Sequence, residues 1–182
     1  MSAITQAMIL AAGKGTRLRP LTLETPKPLV EVGGQPLIVW HIKALQAAGI
    51  TDITINISWL ADKLMAALGD GSQYGVNLHW SKEGDEPLET AGGIFQALQA
   101  GKLRDEPFIL VNSDVWTSYD FGSLKDYELN NDQKAHLILI DNPEHNNGGD
   151  FAINNGLASE QPIADADKYT FAGISVMSPR LQ

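Results

Sequence analysis

Over the first 130 residues, short apolar runs alternate with stretches of helical periodicity, and this narrows the folds open to the chain more than any other feature. Ala7 to Ala12 is an apolar run of strand length. Pro36 opens a helix that carries Leu37, Ile38, Ile42, Leu45 and Ala48 at helical spacing until Gly49 ends it. Ile53, Ile55 and Ile57 alternate with Thr54 and Asn56, and Trp59 to Leu68 is an amphipathic helix stopped by Gly69-Asp70-Gly71. The same reasoning predicts a strand over Val76 to Trp80, a helix over Ala91 to Leu98, a buried strand over Phe108 to Val111 and a helix over Phe121 to Asn130. Strands joined through helices run parallel, with helices on both faces and ligands at the strands' carboxyl ends. The expected fold is therefore α/β, with a Rossmann-like, mostly parallel central sheet. Gly13 and Asp114 both fall on its ligand-binding edge.

Beyond residue 131 the pattern changes to strand-like runs, Ala135 to Ile140, Phe151 to Ile153 and Phe171 to Met177, joined by loops rich in Asn, Gly and Asp. With no repeat or linker, 1–182 reads as one domain: a nucleotide-binding half over about 1–130 and an acceptor half over about 131–182. Ser178-Pro179-Arg180 resembles the start of a further turn or helix, so the chain is expected to end early for a completed fold. A formal charge of −9 and a pI near 4.7 argue against a nucleic-acid or anionic-membrane partner, which would need a broad basic face. The chain has no cysteine, no apolar run of transmembrane length and no basic, apolar leader at Met1-Ser2-Ala3-Ile4-Thr5, which makes a cytoplasmic protein the expectation. His41, His79, His136 and His145 lack metal-ligand spacing, and Trp59, Trp80 and Trp116 read as core residues.

The loop after the first strand concentrates positive charge. Leu10-Ala11-Ala12-Gly13-Lys14-Gly15-Thr16-Arg17-Leu18-Arg19-Pro20-Leu21-Thr22 closes at Pro26-Lys27-Pro28-Leu29. Lys14, Arg17, Arg19 and Lys27 are four of only 13 Lys and Arg, so the segment reads as an anion site within an acidic protein. Two glycines let backbone amides turn toward the same anion. A P-loop does not describe it: Gly15, not Ser or Thr, follows Lys14, and position 8 is Met. A dinucleotide fingerprint needs a third glycine where Leu18 stands, and Pro20, Pro26 and Pro28 predict an extended loop instead of an immediate helix.

The whole pattern, Gly-x-Gly-Thr-Arg-Leu, then Pro-Leu-Thr, then Pro-Lys-Pro-Leu, resembles the signature of the sugar-1-phosphate nucleotidyltransferases. The resemblance spans nearly all 182 residues and implies a glycosyltransferase-A-like form of the expected fold. It implies that Leu10, Ala11, Ala12, Gly13, Lys14, Gly15 and Thr16 wrap a nucleoside triphosphate, with Arg17 and Lys27 as catalytic residues that neutralise its phosphates. Asp114, after Asn112-Ser113, would bind a catalytic Mg²⁺, with Asn112 in the nucleotide set; from spacing alone Asp114 is as readily a loop or capping aspartate. Ser113 stands where the family more often has Gly. Leu88, Glu89 and Gly92, at the start of an apolar helix, would lie against the nucleobase, a role compatible with capping by Thr90.

On the acceptor side, Asn142, Gly149, Asp150, Thr170 and Gly173 are the candidates for a sugar 1-phosphate, although ordinary turns and a core strand explain the same residues. His145 and Lys168 are the cations of that half that an acidic sugar would meet. The runs Glu83 to Phe95 and Phe108 to Thr117, and Tyr119-Asp120-Phe121, look most like the uridylyl-transferring branch of cell-wall sugar recycling, which implies UTP and N-acetylmuramate 1-phosphate. Mannose-1-phosphate guanylyltransferases share the glycine loop and the Pro-Lys-Pro segment. Family members also carry a second metal-binding Asp in a later Trp-x-Asp-Val-Gly-Thr-like stretch. Asp165 and Asp167 lie too early to be assigned to it. A nucleotide-binding domain with impaired catalysis therefore stands as the second expectation.

Overall fold

The computed structural model describes residues 3–84, 87–130, 132–161 and 166–180. Its centre is strand β1 (Gln6–Leu10), whose residues alternate between two apolar layers. Ala7 and Ile9 pack into one layer and Met8 into the other, each 0% exposed. A two-residue hairpin, β2 (Glu31–Val32) and β3 (Gln35–Pro36), leads into helix α1 (Leu37–Ala47). Strand β4 (Asp52–Ile57), helix α2 (Ala61–Leu68), strand β5 (Asn77–Lys82), helix α3 (Glu89–Gln99) and strand β6 (Phe108–Asn112) complete the alternating part. Ile38, Ile42 and Leu45 of α1 and Leu64 and Leu68 of α2 fill the first layer, while Ile94 and Ala97 of α3 fill the second against Phe108 and Leu110. Helices on both faces follow from that two-sided burial.

Strands β5, β4, β1 and β6 lie side by side and parallel, in that order. The chain steps outward from β1 through β4 to β5 and returns to β6 on β1's other side. That reversal opens a crevice at the carboxyl ends of β1 and β6. Registration sharpens the point: Leu10 stands opposite Asn56 of β4 on one flank and Asn112 of β6 on the other.

The remaining strands run differently. After the short helix α4 (Gly122–Lys125) come β7 (Ala135–Ile140), a hairpin of β8 (Phe151–Asn154) and β9 (Leu157–Ser159), and the long β10 (Lys168–Met177). β10 is antiparallel to β6 through Ile174–Met177, to β8 through Lys168–Tyr169 and, on its other edge, to β7. Its register shifts between Phe171 and Ser175, where Gly173 has φ +75°. A β-carbon there would lie 3.1 Å from Val115 Cγ2 and 3.2 Å from Asn112 Cβ, so glycine lets the strand bend over the end of β6.

Two expectations change. The helix over Phe121 to Asn130 is one turn long, and the chain past Asp126 instead lays Tyr127 and Leu129 against the core. Trp116 is 55% exposed, edge-on to Trp40 at 6.4 Å, outside the core. Thr54 and Asn56, which alternate with the isoleucines, are 2% and 3% exposed because β4 is a central strand covered on both sides. Asp165 lies outside the described residues, and no described helix is long and apolar enough to cross a membrane.

Candidate active site

After β1 the chain forms a loop of short 3-10 turns instead of a helix, as the prolines require. Gly15 has φ +60°, and its carbonyl accepts bonds from the Leu18 N–H at 2.9 Å and the Thr22 hydroxyl at 2.7 Å. Thr22 is fully buried, and its own carbonyl takes the indole N–H of Trp59 at 2.9 Å, which pins the loop to the start of α2. With its carbonyl turned inward in this way, the loop has its Gly13, Gly15 and Thr16 amides donating to no acceptor among the described residues. Such amides form a concavity suited to an anion. A β-carbon on Gly15 would fall 2.9 Å from Thr22 Cγ2 and 3.1 Å from Lys27 Cβ. Gly15→Ala is therefore expected to lower stability by about 1–3 kcal/mol and to loosen the loop, read as a lower urea midpoint at unchanged slope.

The loop walls a pocket of about 340 Å³ at the carboxyl ends of β1, β4, β5 and β6. Leu10, Ala11, Ala12, Gly13, Gly15, Thr16, Arg17, Lys27, Glu89, Asn112 and Asp114 of the sequence candidates line it together. Lys14, Leu88 and Gly92 do not. Arg17 and Lys27 bring positive charge to one end, where Lys27 Nζ meets Asp114 Oδ2 at 2.7 Å, across 87 residues of sequence. Beneath the Asp114 loop sits His41, 1% exposed and beside the Val115 backbone. Burial holds its pKa below the ordinary value, against smaller opposing effects of that backbone and of the Asp114 charge.

Two residues that sequence reasoning passed over organise the other end. Asn56 Oδ1 accepts the Ala11 N–H at 2.9 Å, Asn56 Nδ2 donates to Glu83 Oε1 at 2.7 Å, and Glu83 Oε2 accepts the Leu88 N–H at 2.7 Å. Both side chains are buried and both line the pocket. The one signal available was an asparagine next to last in an isoleucine-rich strand. Glu89 follows with φ +59°, a left-handed conformation uncommon for a residue with a β-carbon. Gly92 acts through Leu88: a β-carbon there would lie 2.8 Å from Leu88 Cβ, so glycine lets Leu88 fold over the helix start.

The acceptor candidates gather elsewhere, on the 141–150 loop and the first half of β10. Thr170 Oγ1 donates to Asn142 Oδ1 at 2.8 Å, and Asn142 Nδ2 to the Lys168 carbonyl at 2.8 Å. Asp150 Oδ2 accepts the Phe171 N–H at 2.8 Å, and Gly149 packs on Lys168 and Asn142. These groups bond one another and fasten the loop to β10. Of the set only Gly173 reaches the pocket wall, through Asn112. Lys168 Nζ donates to the Glu160 carbonyl, and His145 lies exposed in a 3-10 turn.

Among the described residues no group of three or more His, Cys, Asp or Glu converges. A cation beside Arg17 and Lys27 would find one hard carboxylate, Asp114, since Glu83 and Glu89 line the other end of the pocket. That donor set fits Mg²⁺, which keeps several waters and takes one or two carboxylates plus phosphate oxygens.

Comparison with known proteins bears on the same pocket. The family model described as nucleotidyl transferase matches residues 6–151, which include every residue of the pocket. An N-acetylmuramate α-1-phosphate uridylyltransferase of Neisseria meningitidis is 46% identical over 97% of this chain and 76% of its own length. A mannose-1-phosphate guanyltransferase of Candida albicans is 44% identical over 72% of this chain; the match spans 35% of that protein, and several other fungal guanyltransferases are matched over about half their length. A Bacillus anthracis crystal structure assigned as a glucose-1-phosphate thymidylyltransferase superposes with TM-score 0.79 at 25% identity, over 98% of this chain and 72% of that one. With the switch-point pocket, the basic glycine loop and the matched relatives agreeing, this chain belongs to the nucleotidyl transferase family, in its sugar-1-phosphate branch.

Proposed function

We propose that the chain transfers a uridylyl group from UTP to N-acetylmuramate 1-phosphate, releasing pyrophosphate, in a cytoplasmic route that recycles cell-wall sugars. The observation that carries a nucleotidyl transfer is that the glycine loop, Arg17, Lys27 and Asp114 line one pocket, with Lys27 in contact with Asp114. A phosphate monoester has a second pKa of about 6, so a sugar 1-phosphate is largely dianionic at neutral pH and attacks phosphorus without a general base. Its oxygen bonds to the α-phosphorus as the bond to the bridging oxygen of the leaving pyrophosphate breaks. The protein's work is then alignment and neutralisation. The glycine loop and Arg17 hold the triphosphate, and Lys27 offsets charge as it moves onto the leaving group. Asp114 would hold Mg²⁺, which supplies charge stabilisation between the two anionic substrates.

Support for UTP and for the muramic sugar comes from the Neisseria relative's 46% identity over almost the whole chain. Guanylyl transfer to mannose 1-phosphate is the second reading, favoured by the 44% identity to the Candida protein over its shorter span. Nucleotide binding with impaired turnover is the third, because among the described residues the end of the pocket that holds Arg17 and Lys27 carries one carboxylate, Asp114.

Thermal unfolding with UTP or GTP, with magnesium or chelator, tests these readings. A ligand at about 100 times Kd adds about 2.7 kcal/mol, which raises the midpoint by about 5–10 °C for this size. A magnesium-dependent shift with UTP, followed by pyrophosphate release on adding the sugar phosphate, is the expected result. A shift with GTP alone selects the guanylyl reading, a shift without pyrophosphate release the third, and none with either triphosphate removes all three.

A further inference from the structure

The two ends of the pocket are joined underneath by a pair of buried side chains. Asn56, 3% exposed, stands near the end of β4, and Glu83, 8% exposed, follows β5 and continues its pairing through the Glu83 N–H to the Ile57 carbonyl. Asn56 holds the amide of Ala11, where β1 passes into the phosphate loop. Glu83 holds the amide of Leu88, where the chain enters α3. The bond between Asn56 and Glu83 closes the relay, and all three contacts lie between 2.7 and 2.9 Å.

On the proposed function, the phosphates would lie over β1 and β6, beside Arg17, Lys27 and Asp114. The nucleobase, at the far end of a nucleotide, would then lie over β4 and β5. The phosphate loop and the segment entering α3 leave different strands, so the sheet ladder alone does not set the gap between them. Both oxygens of the Glu83 carboxylate are taken by neutral donors, no cation pairs with it among the described residues, and a carboxylate buried in that way is costly to keep. Helix α3 accommodates the pair with bare backbone: a β-carbon on Gly93 would fall 2.6 Å from Glu83 Oε1 and 2.8 Å from Asn56 Nδ2.

We infer that Asn56 and Glu83 are positioning residues that set the separation between the phosphate-binding loop and the nucleobase-binding segment, so that a nucleoside triphosphate meets a preformed pocket. The inference rests on the nucleotidyltransferase reading. Its energetics are those of a population: loosening the relay lowers the fraction of molecules with both ends in place, and the apparent Kd rises by the inverse of that fraction. Once bound, the substrate has restored the geometry. KM for the triphosphate should therefore rise while kcat holds.

The test exchanges the polarity of the pair. Glu83→Gln presents an amide N–H₂ to either Asn56 Nδ2 or the Leu88 N–H, and Asn56→Asp sets two carboxylates against each other. Glu83→Gln combined with Asn56→Asp restores a donor or acceptor at every contact with the charge on the other side chain. We expect each single variant to raise the triphosphate Kd and KM about tenfold or more at little cost to kcat, with faster amide exchange at Ala11 and Leu88. The combined variant should return Kd and both amides to within about threefold of the parent. Gly93→Ala, acting from α3, should weaken binding like the single variants. A combined variant that folds yet binds as poorly as either single one overturns the inference, as does a folded single variant with unchanged Kd. If the parent itself binds no triphosphate, the nucleotidyltransferase reading fails as well, whereas the other two outcomes leave that reading standing.

Discussion

Asp114→Ala lowers turnover by about 10²–10³-fold and leaves the fold in place. The estimate follows from removing one preorganised electrostatic group from a reaction that depends on charge neutralisation. Asp114's side chain is 42% exposed and its ion pair with Lys27 is partly solvated, so the pair contributes about 0–1 kcal/mol to stability. Steady-state kinetics against a melting curve separate the two effects. Chemistry should fall steeply while the midpoint moves by a few degrees or less. An Asp114→Ala variant with parental turnover would falsify the metal-ligand assignment.

Lys27→Met is the second large effect. The substitution keeps an unbranched stem against Gly15, where Lys27 Cβ already lies within 3.1 Å of an added β-carbon, and removes only the charge. A loss of about 10²–10³-fold in kcat/KM for the triphosphate is expected, because the ammonium would face the leaving phosphates where solvent screening is reduced. The Lys27 and Asp114 side chains touch, so their losses should not add. A double variant scarcely worse than either single one, in a full kinetic cycle, is the expected signature of two groups acting on one transition state. Strict additivity would mean that the contact at 2.7 Å carries no shared role.

The glycine-loop end of the pocket was the most legible part of the candidate site because its residues are nearly contiguous in the chain. Gly13 to Arg17 and Pro26 to Leu29 lie close in the chain, and glycine, proline and clustered cations each restrict local backbone or charge in ways that do not wait for folding. The base end was harder. Asn56 and Glu83 are 27 residues apart, and nothing local distinguishes Asn56 from a solvent-facing residue on an alternating strand. Only the placement of β4 between β1 and β5 buries it. Asn142, Asp150 and Thr170 are spread over 29 residues of the chain, and only the long β10 brings them together, in a cluster whose polar groups bond one another and the backbone.

By itself the sequence determined the strand and helix alternation, the glycine loop and its cluster of cations, and the family to which they belong, since each rests on periodicity or on residues near in the chain. The tertiary structure alone decided that Lys27 meets Asp114, that β10 enters antiparallel beside β6, and that Asn56 and Glu83 tie the two ends of the pocket together. Those facts depend on strand order and register, which long-range packing sets and a local pattern does not encode.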